Sequence, residues 1–355
     1  MRDRLGGGTN GAAGFRMIGA LAVWLVATGA SAQAVEPDFS VDERRRLARI
    51  TRLPAEGDLD AGKIAAVTFT SISTKDLPDF GEADCRALGR LPKLSSFTLH
   101  GLPLSAACVD ALPRSPMSLT LDGVAFAPDT LAALGRMPGL VNLRIEGGSG
   151  LSARLVEAFP PTSRLVRVAV GDVDGETLAA LRGVPRLTEL EIGSVVGSQG
   201  LVPLDGAPEL ERLVTTDASA ADLEVVARLP RLATLSTGVA EAVSEVDLRS
   251  LARSKTLKSV ALQFAGKNGS AGVGVLAEMP HLEELKLVYQ TVSDRDLARL
   301  AGSRSLVSLD LREADVTDSG LLNLLKSRSL KGVNLWRVVV SDKVRRRLGK
   351  RFDIE

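Results

Sequence analysis

The sequence predicts an α/β solenoid, with a continuous parallel sheet along one side and short helices along the other. Three observations carry this. An apolar triplet, occupying the first, fourth and sixth positions of a repeat, recurs about twelve times at intervals of 22 to 25 residues, after a longer first step of 30. Positions four and six are two apart, the period of a strand with one buried face. The second half of each copy switches to leucines three apart, the spacing of a short helix, before Gly or Pro ends it. Self-similarity at this period marks a stack of supersecondary units.

The first positions are Ile64, Leu94, Pro116, Leu140, Leu165, Leu187, Leu210, Leu232, Leu257, Leu282, Leu306 and Leu330. The triplets are plainest at the end, as Leu282, Leu285 and Leu287, then Leu306, Leu309 and Leu311, then Leu330, Val333 and Leu335. In the first copy, positions four and six read as Val67 and Phe69. Only Thr215 and Thr237 break the apolar sixth position. Helical spacing follows in Leu297 and Leu300, and in Leu321 and Leu324. Asp129, Asp174, Asp222, Asp294 and Asp318 precede such segments and read as N-caps, whose carboxylates accept bonds from free backbone N–H groups. Gly135 with Pro138, Gly183 with Pro185, and Pro230 read as helix stops.

Two segments that follow their strands, Val292-Ser293-Asp294-Arg295-Asp296-Leu297 and Val316-Thr317-Asp318-Ser319-Gly320-Leu321, resemble the leucine-rich-repeat family, especially its ribonuclease-inhibitor-like and cysteine-containing subtypes. The resemblance covers roughly residues 63–340. It implies a right-handed horseshoe of about twelve repeats, with a concave parallel β-sheet and short outer helices. One slot departs from the family pattern. Where many such repeats place Asn or Cys after the strand, this chain has Val124, Val173, Val195, Ala218, Ala240, Ala265 and Ala314.

One copy cannot bury its own leucines, so neighbours must cover them. Twelve strands about 4.8 Å apart make a sheet roughly 50 Å long. Its two edges need covers. Residues 35–62, with a helix over 41–50, are assigned to the N-terminal cap, and residues 341–355 to the C-terminal cap.

Composition fits one elongated domain: 45% of the 355 residues are hydrophobic and only 3% aromatic, so the core is aliphatic. Residues 1–34 read as a cleaved signal peptide. Arg2, Arg4 and Arg16 precede a 14-residue apolar run from Met17 to Ala30, and Ala30, Ala32 and Ala34 offer small-x-small cleavage sites. The run is short for a membrane span. With no cysteine near the cleavage site, a lipoprotein anchor is not expected. Arg outnumbers Lys 33 to 11, which fits a GC-rich bacterial genome. The expected address is the periplasm or the exterior, with no stable membrane span after cleavage. The mature chain then carries 41 Lys and Arg against 42 Asp and Glu, which gives no global attraction to nucleic acid.

Cys85 and Cys108 lie 23 residues apart, one repeat, a spacing that allows them to lie on adjacent helices. They read either as a disulfide, which export permits, or as two small buried residues. Two cysteines and two histidines make no zinc site. No cofactor is implied. His100 and His281 fall in different repeats, without a nucleophile motif. Asp172, Asp174 and Glu176 read as a turn and helix cap rather than a calcium loop, because later ligand positions are missing. Gly147 to Gly150 and Gly266 to Gly269 are loops without phosphate-loop spacing. Asn268 opens a glycosylation sequon, meaningful only in a eukaryotic host. The basic run from Lys343 to Arg351 reads as the solvated face of a cap helix or as a contact for anionic lipid or polymer.

Odd positions of each strand should face the concave side. They are small and polar early, as at Ser96, Thr98 and Ser118. They are charged in the middle, as at Arg144, Glu146, Arg167, Glu189 and Glu191. The last copies bring together Lys286, Tyr289, Asp310, Arg312, Trp336 and Arg337. Tyr, Trp and Arg dominate interface hot spots, so these six residues are the candidate partner surface. Against this stands a structural role, with Trp336 under the C-terminal cap and Lys286 paired with Asp310 across adjacent strands.

The sequence thus reads as an exported scaffold, not an enzyme, that binds another macromolecule, a protein above all, through its concave face. The alternatives are a cell-wall or glycan binder, for which aromatic platforms are few, and a hydrolase using the carboxylates of Glu189 and Glu191.

Overall fold

The computed structural model describes residues 39–51, 69–73, 77, 79–91, 94–114, 117–124, 127–147, 152–157, 159–239, 243–264 and 272–354. Residues 1–34, read as a signal peptide, and Ile64, Val67, Pro116, residues 148–150, Ala240, Ala265 and residues 266–269 of the sequon stretch lie outside them.

Thirteen strands form one parallel sheet, in which spatial order follows chain order. They are β1 (Phe69–Ser73), β2 (Ser96–His100), β3 (Met117–Asp122), β4 (Leu140–Glu146), β5 (Arg167–Val170), β6 (Glu189–Ile192) and β7 (Arg212–Thr215), followed by β8 (Thr234–Val239), β9 (Ser259–Phe264), β10 (Glu284–Val288), β11 (Ser308–Asp310), β12 (Gly332–Asn334) and β13 (Asp353–Ile354). The connections carry α1 (Val41–Thr51), α2 (Glu82–Gly89), α3 (Ala106–Ala111), α4 (Pro128–Arg136), α5 (Ala153–Glu157) and α6 (Gly175–Arg182), then α7 (Ala220–Arg228), α8 (Glu245–Leu251), α9 (Asp294–Ala301), α10 (Asp318–Asn323) and α11 (Asp342–Leu348). Two copies replace the helix by 3₁₀ turns, Val202–Leu204 and Val273–Glu278. Pro203 sits in the first of these, and Gly272 and Gly274 flank the start of the second.

Register stacks the fourth positions one above another: Phe97, Leu119, Leu143, Val168, Leu190, Leu213, Leu235, Val260, Leu285, Leu309 and Val333. All are buried. A one-residue slip of any strand would turn its apolar set to solvent, so this ladder fixes the register. The first copy departs from the sequence reading. Thr70 lies opposite Phe97 and Ile72 opposite Leu99, so the copy starts three residues later and the first step shortens from 30 to 27 residues. The two threonines that interrupt the pattern are buried with their hydroxyls satisfied. Thr215 donates to the Gly193 carbonyl at 3.1 Å and to that of Asp217 at 3.0 Å, and Thr237 donates to the Gly238 carbonyl at 2.7 Å. In place of an asparagine ladder, Val124, Val173, Ala218 and Ala314 fill the slot after the strand as buried apolar groups.

The helix caps also differ from expectation. Asp174 caps α6, accepting from the Thr177 N–H at 2.8 Å. The other caps are Ala127, Ser219, Ser293 and Thr317, which shifts Asp129, Asp222, Asp294 and Asp318 into the first turn. A hydroxyl on the extended residue reaches the third N–H, as a carboxylate would. This frees three of the aspartates to tie one copy to another. Asp222 is buried and accepts from the Leu201 N–H of the preceding copy at 2.6 Å, while closing a capping box with Ser219. Asp294 accepts from Ser319 and Thr317 of the next copy, each at 2.6 Å, and these bonds hold its carboxyl below the usual range. Asp318 accepts from the Ser341 N–H at 3.0 Å, with the same consequence.

At the start, Phe39, Leu47 and Ile50 cover the first leucines, and Arg49 and Arg46 reach the buried Asp84 carboxylate of α2 at 2.9 and 3.5 Å. Cys85 of α2 and Cys108 of α3 are buried and disulfide-bonded, with Cα atoms 5.2 Å apart. At the end, Val344, Leu348 and Phe352 are buried, and β13 pairs with β12 through Gly332 opposite Asp353.

The cross-copy bond of Asp222 separates it from Asp247, which closes the same kind of capping box with Ser244 but remains half-buried. Replacing Asp247 by Ala should cost about 1 kcal/mol, the value of a cap. Asp222→Ala should cost about 3 kcal/mol, because the Leu201 N–H is left buried without its acceptor. Urea unfolding of the two variants reads the difference, and equal losses would remove the inter-copy role.

Candidate functional site

The open sheet face has two charged zones. In the middle, Arg144, Glu146, Arg167, Glu189 and Glu191 form one network. Arg144 bonds Glu146 and lies 3.5 Å from Glu191, while Arg167 lies 3.1 Å from Glu191 and 3.6 Å from Glu189. Both carboxylates of the candidate hydrolase pair therefore lie against the Arg167 guanidinium. His100 and Asp122 pair at 3.0 Å across β2 and β3, whereas His281 is exposed ahead of β10. Among the described residues, no group of three His, Cys, Asp or Glu is placed to hold a metal, and no helix is long and apolar enough to cross a membrane.

The second zone lies at the carboxyl ends of β10, β11 and β12. Here the chain turns the same way in successive copies. Asp310 accepts from the Arg312 N–H at 3.0 Å, and Asn334 accepts from the Trp336 N–H at 2.8 Å, each through an Asx-type turn that ends its strand. The residue after this turn is left-handed. Tyr289, Glu313 and Arg337 have φ of 58°, 54° and 56°, and they are the only non-glycine residues with positive φ among those described. Three early copies place Gly101, Gly123 and Gly147 at this same eighth position, with φ of 62°, 63° and 62°. The turn thus recurs in early and last copies, whereas the eighth residues of the middle copies, Asp172, Ser194, Asp217, Val239 and Phe264, do not have positive φ. The turn's N–H groups join a second ladder, in which the eighth residue donates to the preceding residue's carbonyl in the next copy. Gly101 donates to Asp122 and Gly123 to Glu146, both at 2.7 Å, and Glu313 donates to Trp336 at 3.0 Å. Glycine meets this requirement without cost. A side chain there costs roughly 1–2 kcal/mol.

The candidate residues gather around that row. Trp336 is 47% exposed and does not lie beneath the cap. The Arg337 guanidinium stands 4.2 Å from its ring centroid and that of Arg312 at 5.7 Å, a cation–π arrangement on an exposed ring. Arg337 also meets Glu313 at 3.4 Å. Tyr289 is 38% exposed. Lys286 and Asp310 are opposite in register, yet Asp310 does not pair with it. The Asp310 carboxylate turns to Arg312, at 3.1 Å and largely buried, and Lys286 has no ion pair with a described residue. Geometry therefore brings Arg312, Trp336 and Arg337 into direct contact, places Tyr289 in the row with Arg337, and leaves Lys286 exposed on the strand beside them. Sequence reading missed Glu313, which stands in that row between Tyr289 and Arg337. Its signal was available: glycine recurs at the eighth position of three other copies.

Comparison with known proteins adds the fold. No family model matches the chain, and no curated protein matches it. Among solved structures it is similar to an internalin from Listeria monocytogenes, with a TM-score of 0.50 and 14% identity over 89% of this chain and 94% of that one. It is also similar to the mouse RP105/MD-1 complex, with a TM-score of 0.50 and 13% identity over 80% of this chain, which spans 56% of that chain.

The strained row can be weighed directly. Tyr289→Gly should raise stability by about 0.5–1 kcal/mol, the left-handed strain less the added chain entropy of glycine. Gly123→Ala should lower it by about 1 kcal/mol through strain alone, because an added Cβ meets nothing closer than 3.8 Å. Thermal unfolding of both variants checks the opposite signs. In register, turn geometry and likeness to solved structures, the chain has the α/β leucine-rich-repeat fold.

Proposed function

We propose that this protein is an exported scaffold that binds a protein partner through the carboxyl-terminal end of its open sheet face. The observation that carries the reading is the row Tyr289, Glu313 and Arg337. These side chains occupy backbone positions that favour glycine, and Arg337 packs against an exposed tryptophan, Trp336. Strain retained at exposed side chains is characteristic of binding sites. Trp, Tyr and Arg supply large contact area with few rotatable bonds, as interface hot spots require. Lys286, Tyr289, Asp310, Arg312, Trp336 and Arg337 form the contact surface, with Glu313 added. The RP105/MD-1 structure, a complex of two proteins on a related fold, supports a protein as the class of partner.

Export follows from the positive residues, apolar run and small-x-small sites of residues 1–34, with the periplasm or exterior as destination after cleavage. The buried Cys85–Cys108 disulfide supports that reading, since such bonds persist in oxidising compartments.

Affinity capture from the host envelope and culture fluid tests the proposal, with a folded Tyr289/Arg312/Trp336 triple alanine variant beside the wild type. A protein retained by the wild type and lost by at least tenfold with the variant is the expected outcome, from about 1.4 kcal/mol or more at the three positions. Equal retention would remove the surface. Retention on wall or glycan material alone would favour a glycan ligand.

A further inference from the structure

The near-neutral mature chain hides a strong segregation of charge. Residues 326–355 carry ten Lys and Arg against three Asp and Glu, whereas residues 35–325 carry 31 against 39. The fold decides where those cations go. Helix α11 buries Val344 and Leu348, four apart on one face, against the last repeat. Lys343, Arg345, Arg346 and Arg347 are thereby turned outward and are exposed, and Lys350 and Arg351 follow them on the surface.

Elsewhere on the molecule, some exposed arginines are matched with carboxylates, while others, such as Arg136, Arg186, Arg253 and Arg304, have no ion pair with a described residue, so what sets the cap apart is the clustering of its cations. Arg228 has Asp205 and Glu224, each at 3.0 Å; Arg231 has Glu209; Arg249 and Arg299 share Glu245 at 2.8 and 3.0 Å. The six cations of the terminal cap have no ion pair with a described residue. Two of them donate to backbone carbonyls, Arg346 to Asp342 at 3.2 Å and Arg351 to Ser327 at 3.1 Å, and Arg351 also stands over the Phe352 ring at 5.3 Å. The segment leading into the helix also presents Val339 at 93% exposure, the most exposed large apolar side chain among the described residues. An array of uncompensated cations beside a projecting aliphatic side chain suits a surface that is both anionic and apolar beneath.

We propose that the C-terminal cap is a peripheral docking surface for an anionic lipid bilayer. Lys343, Arg345, Arg346, Arg347 and Lys350 would lie among the headgroups, and Val339 would enter the boundary with the acyl chains. Each Lys or Arg near an anionic leaflet adds attraction that falls off within a Debye length. A soluble polyanion would use the same cations but give Val339 no role, and that difference favours the bilayer. The proposal uses residues outside the sheet-face surface, so the two readings can fail separately.

The test is co-sedimentation of the purified full chain with vesicles of equal parts phosphatidylglycerol and phosphatidylcholine, against vesicles of phosphatidylcholine alone. In about 0.1 M salt, where the Debye length is about 10 Å, the protein should bind only the anionic vesicles. Arg345→Glu/Arg346→Glu/Arg347→Glu should weaken that binding by about a hundredfold or more. Since these side chains make no ion pair with a described residue, the variant should keep the wild-type circular dichroism, and the milder Lys343→Gln/Lys350→Gln variant should weaken binding about tenfold or more. Val339→Ser, which leaves the charge unchanged, should weaken vesicle binding while leaving retention on heparin, a soluble polyanion, unchanged. Absence of wild-type binding to anionic vesicles, or equal binding by the triple variant, would overturn the proposal. An unaffected Val339→Ser variant would also overturn it, by reducing the surface to a general polyanion contact.

Discussion

No repeat in this chain can cover its own leucines, and the rest of the structure depends on that constraint. The fourth-position ladder from Phe97 to Val333 is buried only because each strand lies in register on the next. Register then propagates outward. It brings the eighth-position turns into one row, and it sets first-turn aspartates opposite donors in neighbouring copies, as with Asp222 and Leu201. Parallel strands supply no tight hairpins, so the ends need separate covers. Two different devices provide them: an ion-paired and disulfide-linked start, and an added strand with a basic helix at the finish.

One turn geometry carries different side chains near the two ends of the stack. The turn after the strand has one geometry at Gly101 and at Arg337, with φ of 62° and 56°. In the early copies it is free of strain and has no side chain. In the last copies it holds Tyr289, Glu313 and Arg337 at the rim of the sheet face. The cost is local, because repeat stability is a sum over copies and their interfaces. A long stack can therefore carry a strained rim at one end without losing its fold, as functional sites commonly do.

The ladder was legible in the sequence because leucine, valine and isoleucine at positions four and six leave a period-two mark. Val67 and Phe69 imitate that mark, and this misplaced the first strand by three residues. Caps were misassigned at four of five aspartates, since Ser, Thr and Asp are near-equivalent cap residues and Ser219, Ser293 and Thr317 stand one to three positions earlier. The disulfide was half legible: one-repeat spacing puts Cys85 and Cys108 on adjacent helices, but side-chain direction is set only by packing. Trp336, Arg312 and Arg337 were recognisable as a cluster, whereas their cation–π contacts and the diversion of Asp310 from Lys286 to Arg312 depend on turn geometry that residue types alone do not encode.

Charge adds a division of labour along the stack: a self-neutralised network in the middle, a strained aromatic and arginine rim near the end, and unmatched cations on the cap. We propose the rim as the contact surface. Amide hydrogen exchange, measured on the full chain alone and saturated with a captured protein partner, tests it most directly. New protection confined to residues 286–290, 310–314 and 334–338 is the predicted result. Protection on the helical side, or along β4 to β6, with those turns exchanging as in the free protein, would contradict it.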